Sequence, residues 1–180
     1  AESSNTIEQD TSEFTEIKKA ALSFHKWYMA AVDNPKNSSS SVDVVEDSNG
    51  YCAFDFYSYF DALRKLGTIS EKFLEKERQR LRSCEDFLKT VKYVDFNSSE
   101  AYDYQDDCPS FYHIYWIRSQ EPFTGVEIDE VVENQGVWKA KLIFYNDFQG
   151  KKEYFKSNQP IITLSQENTT WKIVTIDWKN

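Results

Sequence analysis

Hydrophobic residues recur every three or four positions along the first part of the chain. This spacing predicts an amphipathic helix from about Ser12 to Asp33. Asp10 and Glu13 fit a reciprocal cap at its start, and Pro35 ends it because proline disfavours helical geometry at the residue before it. The apolar stripe consists of Phe14, Ile17, Ala21, Phe24, Tyr28 and Ala31.

The same period predicts two further helices. One covers residues 54–66, where Gly67 fits the position just past a helix end. The other runs from about residue 70 to residue 90, with Arg80 among the side chains expected to face water. Residues 37–50 are expected to form a loop within the domain, because they are rich in Ser and Asn and offer no core positions.

Beyond Cys108 and Pro109 the period changes from helical to two, which is typical of β-strands. The acidic segment before this point, residues 93–107, is expected to be irregular. Hairpin turns are predicted at residues 134–136 and 146–150, and Pro160 is expected to mark a bulge, a kink or an edge. The predicted strands are residues 111–118, 126–133, 137–145, 151–155, 161–166 and 171–178.

The clearest alternation lies in residues 137–145. Lys139 and Lys141 lie on one side, and the apolar set lies on the other: Trp138, Ala140, Leu142 and Phe144. Such a pattern indicates an antiparallel sheet with one buried and one partly wet face. We therefore predict a single α+β domain over residues 12–180, with N-terminal helices packed on a strongly curved antiparallel sheet, preceded by a flexible tether at residues 1–11.

Composition narrows the function classes. The 180 residues carry a net charge of −9, which disfavours nucleic acid and anionic lipid as partners. No apolar run is long enough to span a bilayer. The chain begins at Ala1 and not at Met, so we expect a trimmed form of a protein that is secreted, periplasmic or lipid-anchored at the bacterial cell envelope.

The three cysteines, Cys52, Cys84 and Cys108, allow one disulfide after export. Every pairing is allowed by the sequence. We favour Cys84 with Cys108, because Cys108 lies beside the turn-forming Pro109 just before the sheet. The alternative is three reduced, partly buried thiols.

Helices followed by hairpins that end in Thr-Trp-Lys-Ile-Val-Thr-Ile-Asp at residues 170–177 resemble the nuclear transport factor 2-like (cystatin-like) superfamily. Phe24, Trp27 and Tyr28 are similar to the Phe-x-x-Trp-Tyr helix of bacterial secreted domains of unknown function in that superfamily, and residues 103–107 are similar to their acidic segment. The resemblance covers residues 14–178. It implies a cone-shaped fold with a cavity between helices and sheet, where many members bind small molecules and a minority catalyse reactions.

Candidate chemistry is sparse, because no cofactor motif and no metal-binding spacing is present. His113 is a candidate base or polar anchor on its predicted strand, and the alternative is a packed or half-exposed strand histidine. His25 lies on the first helix beside its apolar stripe and is a weaker candidate. Enzymes of the resembled superfamily that isomerise or dehydrate use an Asp with a Tyr or His, which makes Asp177 a candidate if it shares an inward face with Trp171 and Ile173. The interpretation that we favour for Asp177 is an exposed acid near the strand end. An acidic cluster lacks the spacing of a calcium loop and is interpreted as a solvated loop: Asp95, Glu100, Asp103, Asp106 and Asp107.

The aromatic content, 16% of the chain, is the most suggestive feature. Rings of this kind either line an apolar pocket or fill a core without any ligand. The candidate ligand-binding residues are Trp27, Tyr28, Tyr59, Tyr112, Trp116 and Trp138. The favoured hypothesis is a non-catalytic domain that binds a small apolar molecule or an envelope protein. The alternatives are a small acid/base enzyme that uses His113 or Asp177, and a homodimeric interaction module.

Overall fold

The computed structural model describes residues 12–34, 40–111 and 114–179, and it has the α+β architecture that the hydrophobic pattern predicted. The helices are α1 (Ser12–Asp33), α2 (Tyr57–Lys65), α3 (Glu71–Leu88) and α4 (Tyr93–Asn97). The strands are β1 (Asp43–Glu46), β2 (Cys52–Asp55), β3 (Gly125–Asn134), β4 (Val137–Phe148), β5 (Lys151–Phe155), β6 (Gln159–Glu167) and β7 (Thr170–Lys179).

The first helix, α1, has the predicted bounds and lies across the main sheet. Its apolar face contacts β3, β4, β6 and β7. This face is continuous because side chains three and four positions apart lie on the same side of a helix. Its buried apolar members are Ile17, Ala20, Ala21, Phe24, Tyr28 and Met29. Asp10 of the predicted cap and Pro35 lie outside the described residues.

Ser70 fixes the start of α3 and ties it to the sheet. Its hydroxyl accepts a hydrogen bond from the Phe73 N–H at 3.0 Å, the standard use of serine at an N-cap. Its own N–H donates to the Ile173 carbonyl at 3.1 Å, and the Ile173 N–H donates to the Thr68 carbonyl at 2.7 Å. The connection between α2 and α3 is therefore held against β7.

The main sheet is an open, five-stranded antiparallel sheet with the order β3-β4-β6-β7, in which β5 also pairs with β4. The predicted turn between β3 and β4 is confirmed. Gln135 and Gly136 both have positive φ angles, 53° and 78°, as a two-residue turn with the twist of a hairpin requires. Pro160 lies in β6 opposite Trp178, just past the point where β6 pairs with β4. Its missing N–H therefore costs no bond to β4.

Two expected segments differ in the structure. Residues 43–46, expected to be loop, form β1, which pairs with β2, so that α2 begins at Tyr57 and not near residue 54. The turn between β1 and β2 is held by Asp47, whose carboxylate accepts hydrogen bonds from the N–H groups of Asn49 and Tyr51. The predicted strand at 111–118 is wrong: the described part of it forms 3₁₀ turns at Pro109–Phe111 and Tyr115–Ile117.

A small second core lies beside the main one. Cys84 of α3 and Cys108 form a disulfide across 24 residues of sequence, which is the favoured pairing. Cys52 of β2 is a free, buried thiol in the same cluster. The bond therefore fastens the irregular chain after α4 to α3.

Of the helices in the described ranges, none has both the length and the apolar character needed to cross a membrane.

Candidate functional site

A cleft of about 460 Å³ opens between the helices and the chain after Cys108. Its volume lies in the range of roughly 300–1,000 Å³ that is usual for small-molecule sites. The apolar wall consists of Val32, Val42, Phe54, Leu81, Phe111 and Ile114, and the polar inner end consists of Tyr28, Tyr59, Glu77, Arg80, Tyr115 and Trp116. Ser40, Ser41, Tyr102, Ser110 and Gln120 complete the lining.

Helical spacing brings the inner-end residues together. Tyr28 and Val32 are one turn apart on α1, and Glu77, Arg80 and Leu81 share a face of α3 at steps of three and four. Each helix therefore contributes both a polar and an apolar side chain to the same cleft.

Glu77 is the centre of a hydrogen-bonded cluster and is only 2% exposed. Its Oε1 accepts from the Tyr59 hydroxyl at 3.0 Å and from Arg80 Nη2 at 2.5 Å, and its Oε2 accepts from Arg80 Nε at 2.8 Å. Trp116 Nε1 donates in turn to the Tyr59 oxygen at 3.3 Å. A buried carboxylate needs such partners, because burying an unpaired charge is costly.

Arg80 also contacts aromatic rings. Its guanidinium carbon lies 3.8 Å from the centroid of the Tyr115 ring and 5.3 Å from that of Trp116. Stacking of this kind suits the planar, weakly hydrated guanidinium. The side chain is thereby fixed from two sides, by Glu77 and by the rings.

Burial keeps the phenols of Tyr28 and Tyr59 protonated. It raises the pKa of Tyr28 to about 12, and burial together with the charge of Glu77 raises the pKa of Tyr59 well above 10. Burial alone would lower the pKa of Arg80, but the hydrogen bonds and charge of Glu77 raise it above its ordinary value. Near neutral pH Tyr28 and Tyr59 are therefore neutral phenols, and Arg80 is a charged guanidinium.

His25 does not line the cleft, but it contacts the backbone of Trp116, which does. Its ring is fully buried, and Nε2 donates to the Trp116 carbonyl oxygen at 3.0 Å, which fixes the tautomer. Among the described residues Nδ1 has no partner. Burial lowers the pKa of His25 to about 4, so the ring is neutral and acts as a structural contact.

The structure brings three of the predicted binding residues together: Tyr28, Tyr59 and Trp116 line the cleft. Trp27 packs on Phe24 and Tyr59 without reaching the lining. Trp138 lies elsewhere, beside Phe14 and Trp171, with ring centroids 5.9 Å and 6.5 Å away. The predicted binding residue Tyr112 and the catalytic candidate His113 lie outside the described residues.

Asp177 is exposed, and its carboxylate accepts a hydrogen bond from the Thr175 hydroxyl at 3.2 Å. The expectation that it shares a face with Trp171 and Ile173 is wrong. Thr163 pairs with Thr175 and Leu164 with Ile173, so Val174 is an extra residue that reverses the alternation of β7. Beyond this bulge Ile176 turns inward and Asp177 outward.

Glu77 and Arg80 are the site residues that the sequence analysis missed, and Arg80 was expected to face water. The sequence does contain a signal for Glu77, which lies three residues after Leu74 and four before Leu81. It therefore stands on the apolar stripe of α3. A charged residue in that position predicts a buried ion pair, and Arg80 lies at the spacing that supplies the partner.

Within the described ranges, no group of three or more His, Cys, Asp or Glu side chains is placed to hold a metal ion. In the acidic segment, Asp103 accepts a hydrogen bond from the Glu100 N–H at 3.2 Å and so closes a 3₁₀ turn at Ala101–Tyr104. Comparison of the chain with protein-family models, with curated proteins and with solved structures gave no match.

Proposed function

We propose that this domain binds a small, mainly apolar molecule in the cleft and does not transform it. The observation that carries the proposal is the cleft itself, with an apolar wall of aliphatic and aromatic side chains and a fixed polar cluster at its inner end. Small-molecule sites combine these two features, since apolar surface supplies affinity and a few placed polar groups orient the ligand.

The hydrogen bonds of Glu77 and the exposure of Asp177 favour binding over catalysis. Glu77 already accepts three hydrogen bonds, from Tyr59 and Arg80, and so is not a free base. Asp177 is exposed. The acid/base alternative would therefore depend on His113, which the structure does not describe.

The resemblance to the nuclear transport factor 2-like superfamily belongs to the same proposal. Two features support it: the helices precede the antiparallel hairpins, and α1 lies across four strands of the sheet. In a cone-shaped fold of that kind the cleft would lie at the open side, between the helices and the segment that leads into β3.

We also propose that the protein works outside the cytoplasm, secreted or at the bacterial cell envelope. The disulfide between Cys84 and Cys108 supports this location, because such bonds persist in oxidising compartments and are rare in the cytosol.

A homodimer through the outer face of the sheet has less support. Lys141 there pairs with Glu130 at 2.7 Å and Asp129 at 3.3 Å, and Lys152 pairs with Glu127. Interface cores are depleted in charged residues, so this surface is typical of a solvated face. The same argument applies to an envelope protein docked there.

The test is a titration with N-phenyl-1-naphthylamine, a neutral apolar dye whose fluorescence rises in an apolar site. We expect saturable binding with a Kd of about 0.2 mM or tighter, since a ligand of this size gains about 0.3 kcal/mol per non-hydrogen atom. Absence of saturable binding would overturn the proposal.

Two matched variants locate the dye. Val42→Trp places an indole in the cleft and should abolish binding, whereas Val132→Trp adds the same ring on an exposed site of β3 and should leave binding unchanged. Equal binding by both variants would place the dye outside the cleft.

A further inference from the structure

The inner end of the cleft offers hydrogen-bond donors. The oxygens of Glu77 are taken by Tyr59 and Arg80, and the oxygen of Tyr59 is taken by Trp116. The backbone of Trp116 and Tyr115 lies close enough to the Tyr28 hydroxyl to lower its pKa against the larger effect of burial. In the part of the chain that the structure describes, the proton of the Tyr28 hydroxyl has no acceptor, although Tyr28 is 5% exposed and lines the cleft.

Arg80 supplies a second donor to the same place. Its Nε and Nη2 donate to Glu77, and Nη1 has no acceptor among residues 12–34, 40–111 and 114–179, so it can donate to a ligand. The charge of Arg80 acts on the Tyr28 hydroxyl, and both side chains line the cleft. Both donors therefore belong to the same cleft.

The net charge at the inner end of the cleft determines whether the ligand oxygen is charged or neutral. Glu77 neutralises Arg80, so the inner end carries donors but no net positive charge. A ligand carboxylate would lose its water and lie beside the Glu77 carboxylate. The two-nitrogen edge of Arg80 that binds carboxylates best is already occupied. An uncharged oxygen is desolvated at a much lower cost and is not repelled by the Glu77 carboxylate.

We infer that the bound molecule carries one uncharged carbonyl group, as in a ketone, an ester or an amide, on an otherwise apolar frame, and that its oxygen accepts hydrogen bonds from Tyr28 and Arg80. The inference rests on the proposed function, since it names the ligand class of that same cleft. The aliphatic and aromatic wall holds the frame, and the donor pair selects the carbonyl.

Three naphthalenes of nearly equal shape test this: 2-acetylnaphthalene, 2-isopropylnaphthalene and 2-naphthoate. Each is titrated as a competitor of N-phenyl-1-naphthylamine at pH 7.5. We expect the ketone to bind about 25-fold tighter than the hydrocarbon, because each of the two hydrogen bonds contributes about 5-fold. The carboxylate should bind about 10-fold more weakly than the ketone, or worse.

The outcomes separate the two proposals. If the ketone and the hydrocarbon bind equally, or if the carboxylate binds tightest, the carbonyl inference fails and the apolar cleft stands. If neither the dye nor any of the three naphthalenes binds, both proposals fail.

Two variants test whether the selectivity depends on the Tyr28 hydroxyl and on the charge of Glu77. Tyr28→Phe removes one of the two donors and should lower the affinity ratio of ketone to hydrocarbon about 5-fold, while Tyr57→Phe, at a tyrosine 76% exposed and outside the cleft, should leave the ratio unchanged. Glu77→Gln removes the neutralising charge and should improve the affinity for 2-naphthoate about 10-fold relative to the ketone. An unchanged ratio in Tyr28→Phe would overturn the inference even if Glu77→Gln does not fold.

Discussion

Glu77 and Arg80, three residues apart on α3, form a two-point ion pair that is 1% and 25% exposed at its two side chains. Such a pair is costly to break from one side, because the remaining partner is left charged in a buried place. The same pair holds the Tyr59 hydroxyl and so shapes the inner end of the cleft.

Removal of one partner should therefore lower the free energy of unfolding more than removal of both. We expect Arg80→Met to lower the free energy of unfolding by about 3 kcal/mol, and the double variant Glu77→Leu/Arg80→Met to recover part of that loss. Urea denaturation of the three proteins measures both values. A loss below about 1 kcal/mol in Arg80→Met would show that Glu77 is not held by this contact.

His25 should make the domain sensitive to mild acid. Its pKa is about 4 in the folded state and near 6.5 when unfolded, so the unfolded chain binds the proton first. The contribution of His25 to stability is complete above pH 6.5 and is lost as the pH falls from 6.5 through 4. The full loss is about 3 kcal/mol.

Chemical denaturation at a series of pH values tests this loss against His25→Gln. The glutamine keeps a nitrogen donor toward the Trp116 carbonyl and does not titrate. Since other groups also titrate in acid, the relevant quantity is the difference between the two proteins. A difference that stays constant from pH 7 to pH 4 would contradict the assignment.

The disulfide should stabilise the region that follows α4. Closing a loop across 24 residues restricts the unfolded chain, and its loss should cost about 3 kcal/mol. Thermal unfolding of Cys84→Ser/Cys108→Ser measures the cost. Cys52→Ala is the control that keeps the bond, and thiol counting after denaturation without reductant should find one thiol in the parent protein and none in this control.

Gly125 should not tolerate a side chain. A Cβ atom there would lie 2.4 Å from the ring of Tyr145, its cross-strand partner on β4. We expect Gly125→Ala to lose about 1 kcal/mol or more, because the ring must move. Adding Tyr145→Thr should remove most of that loss, and a Gly125→Ala protein as stable as the parent would contradict the packing.

The sequence pattern predicted the regular parts of the fold. Helix α1 and the hairpins from β3 onward follow their hydrophobic periods closely, because each presents one continuous apolar face to the core. The short strand β1 was missed, since four residues with two valines carry no readable period.

The segment around Trp116 shows why local pattern fails at the site. Its alternation resembles a strand, yet Trp116 and Ile117 are both buried, and Arg118 adopts a left-handed conformation with φ of 48°. The carbonyl of Trp116 bonds to His25 on α1 and not to a neighbouring strand. Tertiary contacts decide this conformation, and the bulge at Val174 that turns Asp177 outward is a pairing feature of the same kind.

The most direct test of the apolar cleft is a methyl NMR titration with N-phenyl-1-naphthylamine. Val32, Val42, Leu81 and Ile114 line the cleft, while Val132 and Val137 lie on the hairpin of β3 and β4, outside it. We expect saturable shifts at the four cleft methyl positions and none at the hairpin. Shifts confined to the hairpin, or no shifts at a saturating dye concentration, would contradict the account.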